Sequence, residues 1–353
     1  MIDWSKVNRI LVIRLRSIGD TVLSTPSLIS LRQFIPDAQI DILLEDWVAP
    51  LLKNFDAVDN VIAIGKGEID RLKAARQIRR NRYDVVFNLH GGTTSTLLTR
   101  ATGARHRVGY ANHQYSNLYN HRLSSSSDFW EKDKTHSAEQ QLALLGFVGV
   151  PVNDRPRTRL DLSADAKQSV ATRVDTSKRY ALLHPASLFA TKQWSAENFA
   201  RIADHLAYNG VASVAVAARG ERSVLVELQK YSKSDITIFD DLTLPEITAL
   251  AANARLFVGN DSGIAHIAAA VNTPTVVIFG SSNRDHWRPW TDAPNEIVFN
   301  EFDCQPCPGY ECKVYGEPKC ILSVSSDQVI AAMGRVLIQS KKGEPEPALI
   351  QSN

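Results

Sequence analysis

Several short stretches hold residue types that could do chemistry together. The first is Arg16-Ser17-Ile18-Gly19-Asp20, where an apolar run gives way to a helical pattern. A carboxylate at that point has two readings. Asp is a favoured helix-capping residue. In a cleft, Asp20 could equally be a general base, with small Gly19 letting another molecule approach. The second stretch is Asn260-Asp261-Ser262-Gly263, followed by Ile264-Ala265-His266. Asp261 or Ser262 can cap the helix that follows, and its first-turn amides favour an anion. Gly263 removes the side chain where a pyrophosphate would come close. His266 lies three residues on and shares that face. A lone histidine there is ordinarily a core residue, but in this company ligand contact is the better reading.

The third stretch runs from Ser187 to Thr191, Lys192 and Trp194 at the end of an apolar run. A lysine there can neutralise a phosphate as a point charge, although most lone lysines are merely solvated. In the fourth, Arg219-Gly220-Glu221, the carboxylate could accept hydrogen bonds from a ribose. Glu in a first helical turn is commonplace, so that signal is weak. No GxGxxG or GxxxxGK[ST] is present, which weakens a dinucleotide or NTPase reading.

Basic residues crowd the N-terminal half: Arg14, Arg16, Arg71, Lys73, Arg76, Arg79, Arg80, Arg82, Arg100, Arg105 and Arg107. Those between 68 and 82 read as readily as a solvated helix face. Arg14, Arg16, Arg105 and Arg107, with Arg100 behind them, fall near strand ends and suggest an acceptor bearing phosphate or carboxylate. Ser17 and Gly19 join them as candidate acceptor contacts. The four cysteines, Cys304, Cys307, Cys312 and Cys320, lie close together near the C-terminal end. Free thiols are the first reading, and a structural zinc on all four the second, since the spacing is not that of a standard finger.

These loops need elements to place them, and the chain supplies alternating ones. Strands are expected at 9–15, 39–45, 60–65, 83–90 and 106–110. Helices are expected at 20–34, 47–54, 68–81, 93–102 and 136–146. The polar stretch 112–134 reads as a long loop, and 149–159 as a linker. Alternation restarts with strands at 180–185, 212–217, 236–239, 256–259 and 275–279. Helices follow at 196–208, 221–232, 243–253, 263–271 and 325–340. This is an α/β chain with two Rossmann-like, doubly wound parallel sheets. The division is 1–155 and 156–340; 341–353 reads as a disordered tail.

The bulk composition agrees. The 353 residues suit two domains. A formal charge of only +2, with 44% hydrophobic and 22% charged residues, is a soluble globular balance and argues against wholesale nucleic-acid binding. No apolar run reaches membrane-spanning length, and the N-terminus lacks a signal peptide. A cytoplasmic protein is expected, with peripheral contact at the inner face of the inner membrane compatible with that.

Two blocks resemble a known family. ILVIRLRSIGDTVLSTPSLISLRQFIPDAQIDIL at 10–43 and GNDSGIAHIAAAVNTPTVVIFGSSN at 259–283 resemble signatures of the lipopolysaccharide heptosyltransferases, glycosyltransferase family 9. HPAS with the downstream TKQW, and His136, fall where that family has them. The Asp-Ser-Gly of the second block often has Thr in the middle. The resemblance spans roughly 9–332 and implies two Rossmann-like domains in the GT-B arrangement, 1–155 binding the acceptor and 156–340 the nucleotide-sugar. It implies inverting, metal-independent transfer of heptose from ADP-heptose to the lipopolysaccharide inner core, a Kdo-bearing lipid A or a heptosylated core, with no cofactor. By resemblance Asp20 is the base, and Ser187, Thr191, Lys192, Glu221, Asp261, Ser262, Gly263 and His266 bind the donor. The alternatives are a nucleotide-sugar epimerase of the same fold, which would need no basic acceptor surface, and a non-catalytic nucleotide- or glycan-binding paralogue. Asp20 and Lys192 together argue against the paralogue.

Overall fold

Strands in an all-parallel sheet are covered by helices on both faces, so they read as continuous apolar runs. The computed structural model, which describes residues 2–307 and 309–342, is built from such runs. The chain divides into two compact units. The first holds the chain up to Thr172 plus Thr243–Ala249 and Asn283–Trp290; the second holds Arg173–Leu242, Leu250–Ser282 and the chain from Thr291. The expected division between 155 and 156 falls inside the first unit.

In the first unit the strands are β1 (Arg9–Ile13), β2 (Gln39–Glu45), β3 (Asn60–Ile64), β4 (Val85–Asn88), β5 (His106–Tyr110) and β6 (His121–Leu123). They pair in the order β3-β2-β1-β4-β5-β6, every pair parallel. Leu11, Ile13, Ile62, Ile78 and Val86 form part of the core on one face. In the second unit the strands are β7 (Tyr180–His184), β8 (Ala212–Val216), β9 (Ile236–Phe239), β10 (Leu256–Asn260), β11 (Thr275–Ile278) and β12 (Asn295–Val298). Their order is β12-β11-β10-β7-β8-β9, again all parallel. Its core gathers Trp194, Phe199, Leu225, Val258 and Val336. The Trp194 indole N–H donates to Val324 O at 2.8 Å, just ahead of the last helix, Ser326–Lys342.

The structure differs from the sequence reading in several places, and the short helix expected at 47–54 is only a 3-10 turn, Ala49–Leu52. The helix expected at 20–34 is two helices, Ile18–Val22 and Thr25–Phe34. Pro26 lacks the N–H that would bond back to Val22, so it sits in the first turn of a new helix. Thr25 Oγ1 donates to the Val22 carbonyl instead, at 2.8 Å. The stretch 112–134 is not a plain loop: it contains β6 and the helix Ser126–Trp130. The helix Ala164–Arg173 arises from a sequence whose buried residues are only Ala166 and Val170, too thin a stripe to register as a period. β12 is a half-buried edge strand. Of the tail expected at 341–353, residues 341 and 342 belong instead to the last helix, Ser326–Lys342, and 343–353 lie outside the described residues.

The Asn283–Trp290 segment is tied firmly into the first unit. His136 stacks on Trp290 with ring centroids 4.6 Å apart, and its Nε2 lies 2.8 Å from Arg288 O. Thr158 Oγ1 donates to Trp290 O at 2.8 Å.

One buried polar cluster stands out beneath β2. Asp41 accepts from Tyr83 Oη at 2.5 Å, Gln39 Nε2 at 2.9 Å and Asn60 Nδ2 at 2.9 Å. Burial and the neighbouring carboxylate push the Tyr83 phenol up, so it stays a donor. Tyr83→Phe leaves a buried carboxylate one donor short. The first unit is expected to lose about 1–3 kcal/mol, read as an earlier urea midpoint with an unchanged slope. An unchanged midpoint would mean the hydroxyl contributes nothing.

Candidate active site

In open parallel sheets, ligands bind at the carboxyl ends of strands where the strand order reverses. In the first unit that point lies between β1 and β4. Arg14 follows β1 and Leu89 follows β4, and the Arg14 guanidinium spans the two: Nη1 donates to the Leu89 carbonyl, and Nη2 pairs with Asp20 Oδ1. Ser17 Oγ donates to the other carboxylate oxygen at 3.1 Å. Ser17, not Asp20, occupies the helix N-cap position, so capping does not account for Asp20. The carboxylate is held in one orientation yet keeps 18% of its side chain exposed.

Asp20 lines a cavity of about 540 Å³ with His90, His113, Gln141, Lys134 and His286. Burial, then the charge of Arg14, holds the His90 and His113 imidazoles down at about 4; Arg16 adds to this at His90, and His90 to it at His113. Burial likewise lowers His286. The three rings therefore face the cavity as neutral groups. Gln141 is buried, and neither atom of its amide has a hydrogen-bond partner among the described residues. A wall of neutral rings with an unsatisfied amide suits a polar ligand such as a sugar. On the other side of His90 lies a smaller basin of about 270 Å³, lined by Arg16, Lys66, Arg71 and Thr93.

The expected acceptor arginines separate. Arg16 is exposed and lines the basin. Arg14 is committed to Asp20 and Leu89, so it serves the carboxylate before any acceptor. Arg105 and Arg107 are not brought here: they stand at the start of β5, the opposite end from the site. Arg107 is also engaged, with Nε donating to Leu118 O at 2.8 Å and Nη1 to Ala104 O at 2.7 Å. Arg100 closes the Thr93–Ala101 helix at that same far end.

The second unit repeats the arrangement between β7 and β10. Lys192 Nζ, from the loop after β7, lies 2.8 Å from Oδ2 of Asp261, which follows β10. Ser282 Oγ donates to that same oxygen. An ammonium has three donors, so two remain for a ligand. Ser262 takes the N-cap position of the Gly263–Ala270 helix, and its Oγ meets His184 Nδ1 at 3.1 Å. Burial holds His184 at about 4, neutral. His266 is buried one turn into that helix.

Asn260, which sequence reasoning passed over, joins the two loops: Oδ1 accepts from Trp194 N at 3.1 Å and Nδ2 donates to Pro185 O at 2.8 Å. Ser187 is half-buried in the same loop. Thr191 is different from expectation. It is buried, and its hydroxyl donates to Gly309 O at 2.8 Å, so it braces the loop rather than offering a ligand contact. Glu221 Oε2 accepts from Ala218 N at 3.1 Å and closes a turn. A Cβ on Gly280 would stand 2.3 Å from Thr191 O, so only glycine lets these two strand-end loops approach.

The four cysteines are free. Burial, then the nearby Cys307, Cys304 and Cys312, pushes the Cys320 thiol up. Among the described residues no group of three His, Cys, Asp or Glu is placed to hold a metal ion. The zinc reading therefore lacks a ligand set at bonding distance.

The family model for glycosyltransferase family 9 (heptosyltransferase) matches residues 71–316. The chain belongs to that family. This heptosyltransferase is 28% identical over 341 residues to lipopolysaccharide heptosyltransferase 3 of Escherichia coli (strain K12), covering 90% of this chain and 95% of that protein. Among solved structures it is similar in fold to a glycosyl transferase family 9 protein from Veillonella parvula. There the TM-score is 0.81, with 19% identity over 94% of this chain and 98% of that one. It is also similar to E. coli ADP-heptose lps heptosyltransferase II, with TM-score 0.79 and 21% identity over 94% and 99% of the two chains. The two-sheet GT-B architecture is thus that of the family.

Neutral histidines impose a pH dependence. The unfolded chain binds protons on His90 and His113 below about 6.5, while the folded chain does so only near about 4. Stability therefore rises with pH across that window and is lost as pH falls through it. The melting temperature is expected to drop between roughly pH 7 and pH 5, and His90→Gln with His113→Gln to flatten the slope. A wild-type melting temperature constant over that range would show that the rings are not held neutral.

Proposed function

We propose that the heptosyltransferase moves heptose from ADP-heptose to the anionic inner core of lipopolysaccharide, a Kdo-bearing lipid A or an already heptosylated core. Transfer inverts the anomeric centre in one displacement and uses no catalytic metal. The observation that carries the reading is Asp20, held by Arg14 and Ser17 at the strand-order reversal of the first unit and open to a sugar-sized cavity. The relatives support the same reading: one is a lipopolysaccharide heptosyltransferase, another an ADP-heptose heptosyltransferase.

The roles follow from the chemistry. An acceptor hydroxyl loses its proton to Asp20 as its oxygen bonds to the anomeric carbon. The bond from that carbon to the ADP oxygen breaks, and ADP leaves with growing negative charge. Lys192 and the first-turn amides at Ser262 and Gly263 stabilise that charge. Asp261 orients the Lys192 ammonium, Ser187, Glu221 and His266 complete the donor contacts, and Thr191 acts through the loop. A fixed cation and helix amides at the leaving group give a donor site that works without a metal. Ser17 and Gly19 border the attacking hydroxyl, while Arg16 with Lys66 and Arg71 meets the acceptor's phosphate or carboxylate. The partners are thus a nucleotide-sugar and an anionic glycolipid, in the cytoplasm at the inner face of the membrane. Among the described residues no helix is long and apolar enough to cross a membrane.

Asp20→Asn is expected to lower kcat by about 10²–10⁴-fold and leave ADP affinity, read by calorimetry, unchanged. Turnover within about tenfold of the parent would remove Asp20 from the role of base.

Lys192→Ala should weaken ADP binding about tenfold or more while the acceptor KM holds. Gly280→Ala, which displaces the Thr191 carbonyl next to that lysine, should act in the same direction. A change confined to the acceptor KM would mean the two units have been assigned the wrong substrates.

A further inference from the structure

The Glu68–Arg80 helix of the first unit buries Ala74 and Ile78 and turns its opposite face to solvent. At 100° per residue, that outward face carries Ile69, Leu72, Lys73, Arg76, Arg79 and Arg80 within one arc of about 120°. All six are exposed, Ile69 at 71% and Leu72 at 50%. The two acids of the helix, Glu68 and Asp70, flank the arc rather than enter it. Among the described residues no carboxylate pairs with Lys73, Arg76, Arg79 or Arg80. Three of these guanidinium groups, with Ala75 and Ala101, line a shallow basin of about 370 Å³. The Arg79 side chain fills the space a Cβ would take at Gly103, which fixes one of the three. The neighbouring Thr93–Ala101 helix adds Leu97, 53% exposed.

We infer that this face docks the enzyme flat on a bilayer rich in anionic phospholipid. A face made only of arginines would suit any polyanion, and a face made only of aliphatics would suit a second protein. Aliphatic side chains interleaved with unpaired cations on one surface helix fit the headgroup boundary, where the former enter the acyl edge and the latter meet phosphates. The smaller basin that holds Arg16, Lys66 and Arg71 borders the N-terminal end of the same helix. Docking would bring that basin to a glycolipid rooted in the same bilayer. This last step rests on the proposed acceptor; the docking itself does not.

The test is co-sedimentation of the full chain with phosphatidylcholine vesicles, with and without about one-third phosphatidylglycerol. The wild type should pellet only with the anionic vesicles. Arg76→Glu with Arg80→Glu should weaken that binding at least about tenfold. Ile69→Ser with Leu72→Ser should remove the part of the binding that survives high salt. Both variants alter exposed side chains and should keep the parent's melting temperature and its transfer to a water-soluble, delipidated core acceptor. The inference fails if the wild type ignores the charge of the vesicles, or if both variants bind as it does. It fails too if heparin binding falls with the arginines while the serine variant changes nothing, since the face would then be a general polyanion site. Absence of transfer to the soluble acceptor by the wild type would instead sink the proposed acceptor and leave the vesicle result standing.

Discussion

Every strand pair in both sheets is parallel, and most of the functional geometry follows from that. Parallel neighbours need a crossover between them, so all carboxyl ends fall on one edge and all return segments on the other. Side chains that are far apart in the sequence then meet at one edge without further design. Arg14 and Leu89 do so in the first unit, Lys192 and Asp261 in the second. The reversal of strand order leaves a gap at each of these points where no crossover lies overhead. In both units a cation fixed by its own protein occupies the rim of the gap. A charge already oriented by a partner loses little freedom when a substrate arrives, which is how a rigid sheet edge serves chemistry.

The charges near Asp20 are sharply economised. Three imidazoles line the same cavity as the carboxylate, and burial keeps them from adding positive charge. Arg14 is the formal cation beside Asp20, and it is committed. The uncommitted cations stand apart, at Arg16, Lys66 and Arg71. On the proposed roles, the place where a proton moves is thus separate from the place where an anion is held. Arginine suits the first task because its planar fork can satisfy a carbonyl and a carboxylate at once; lysine could not do so with the same fixed geometry.

Much of this was legible in the sequence, for identifiable reasons. The central strands are apolar on both faces, so β1, β2, β7 and β10 stand out by burial pattern alone. The loops that follow them carry Asp20, Lys192 and Asp261, and their position after a strand marks them. What escaped was short or borrowed. β6 has three residues in a polar stretch and pairs with β5 alone, so no period exists to detect it. His90 could have been found as the second residue past β4, a strand next to the reversal. His113 and His286 could not, because they reach the cavity through turns and a returning segment. Arg105 and Arg107 misled because proximity to a strand end does not say which end, and only the direction of β5 decides it.

The makeup of the first unit bears on how the chain folds as it is made. Its Asn283–Trp290 segment, which carries the ring stacked on His136 and the carbonyl bonded to Thr158, follows Thr172 by roughly a hundred residues. At a ribosomal pace of about 5–20 residues per second, the first sheet is complete several seconds before that segment emerges. During that interval the side of Trp290's future partner is bare and the cavity lacks the wall that His286 supplies. The nascent N-terminal sheet is therefore an unfinished body, and the second unit must be largely synthesised before the first can close. A polypeptide ending near Thr172 would hold that unfinished body permanently, so the first unit of this enzyme is not a module that can be cut out by a single stop codon.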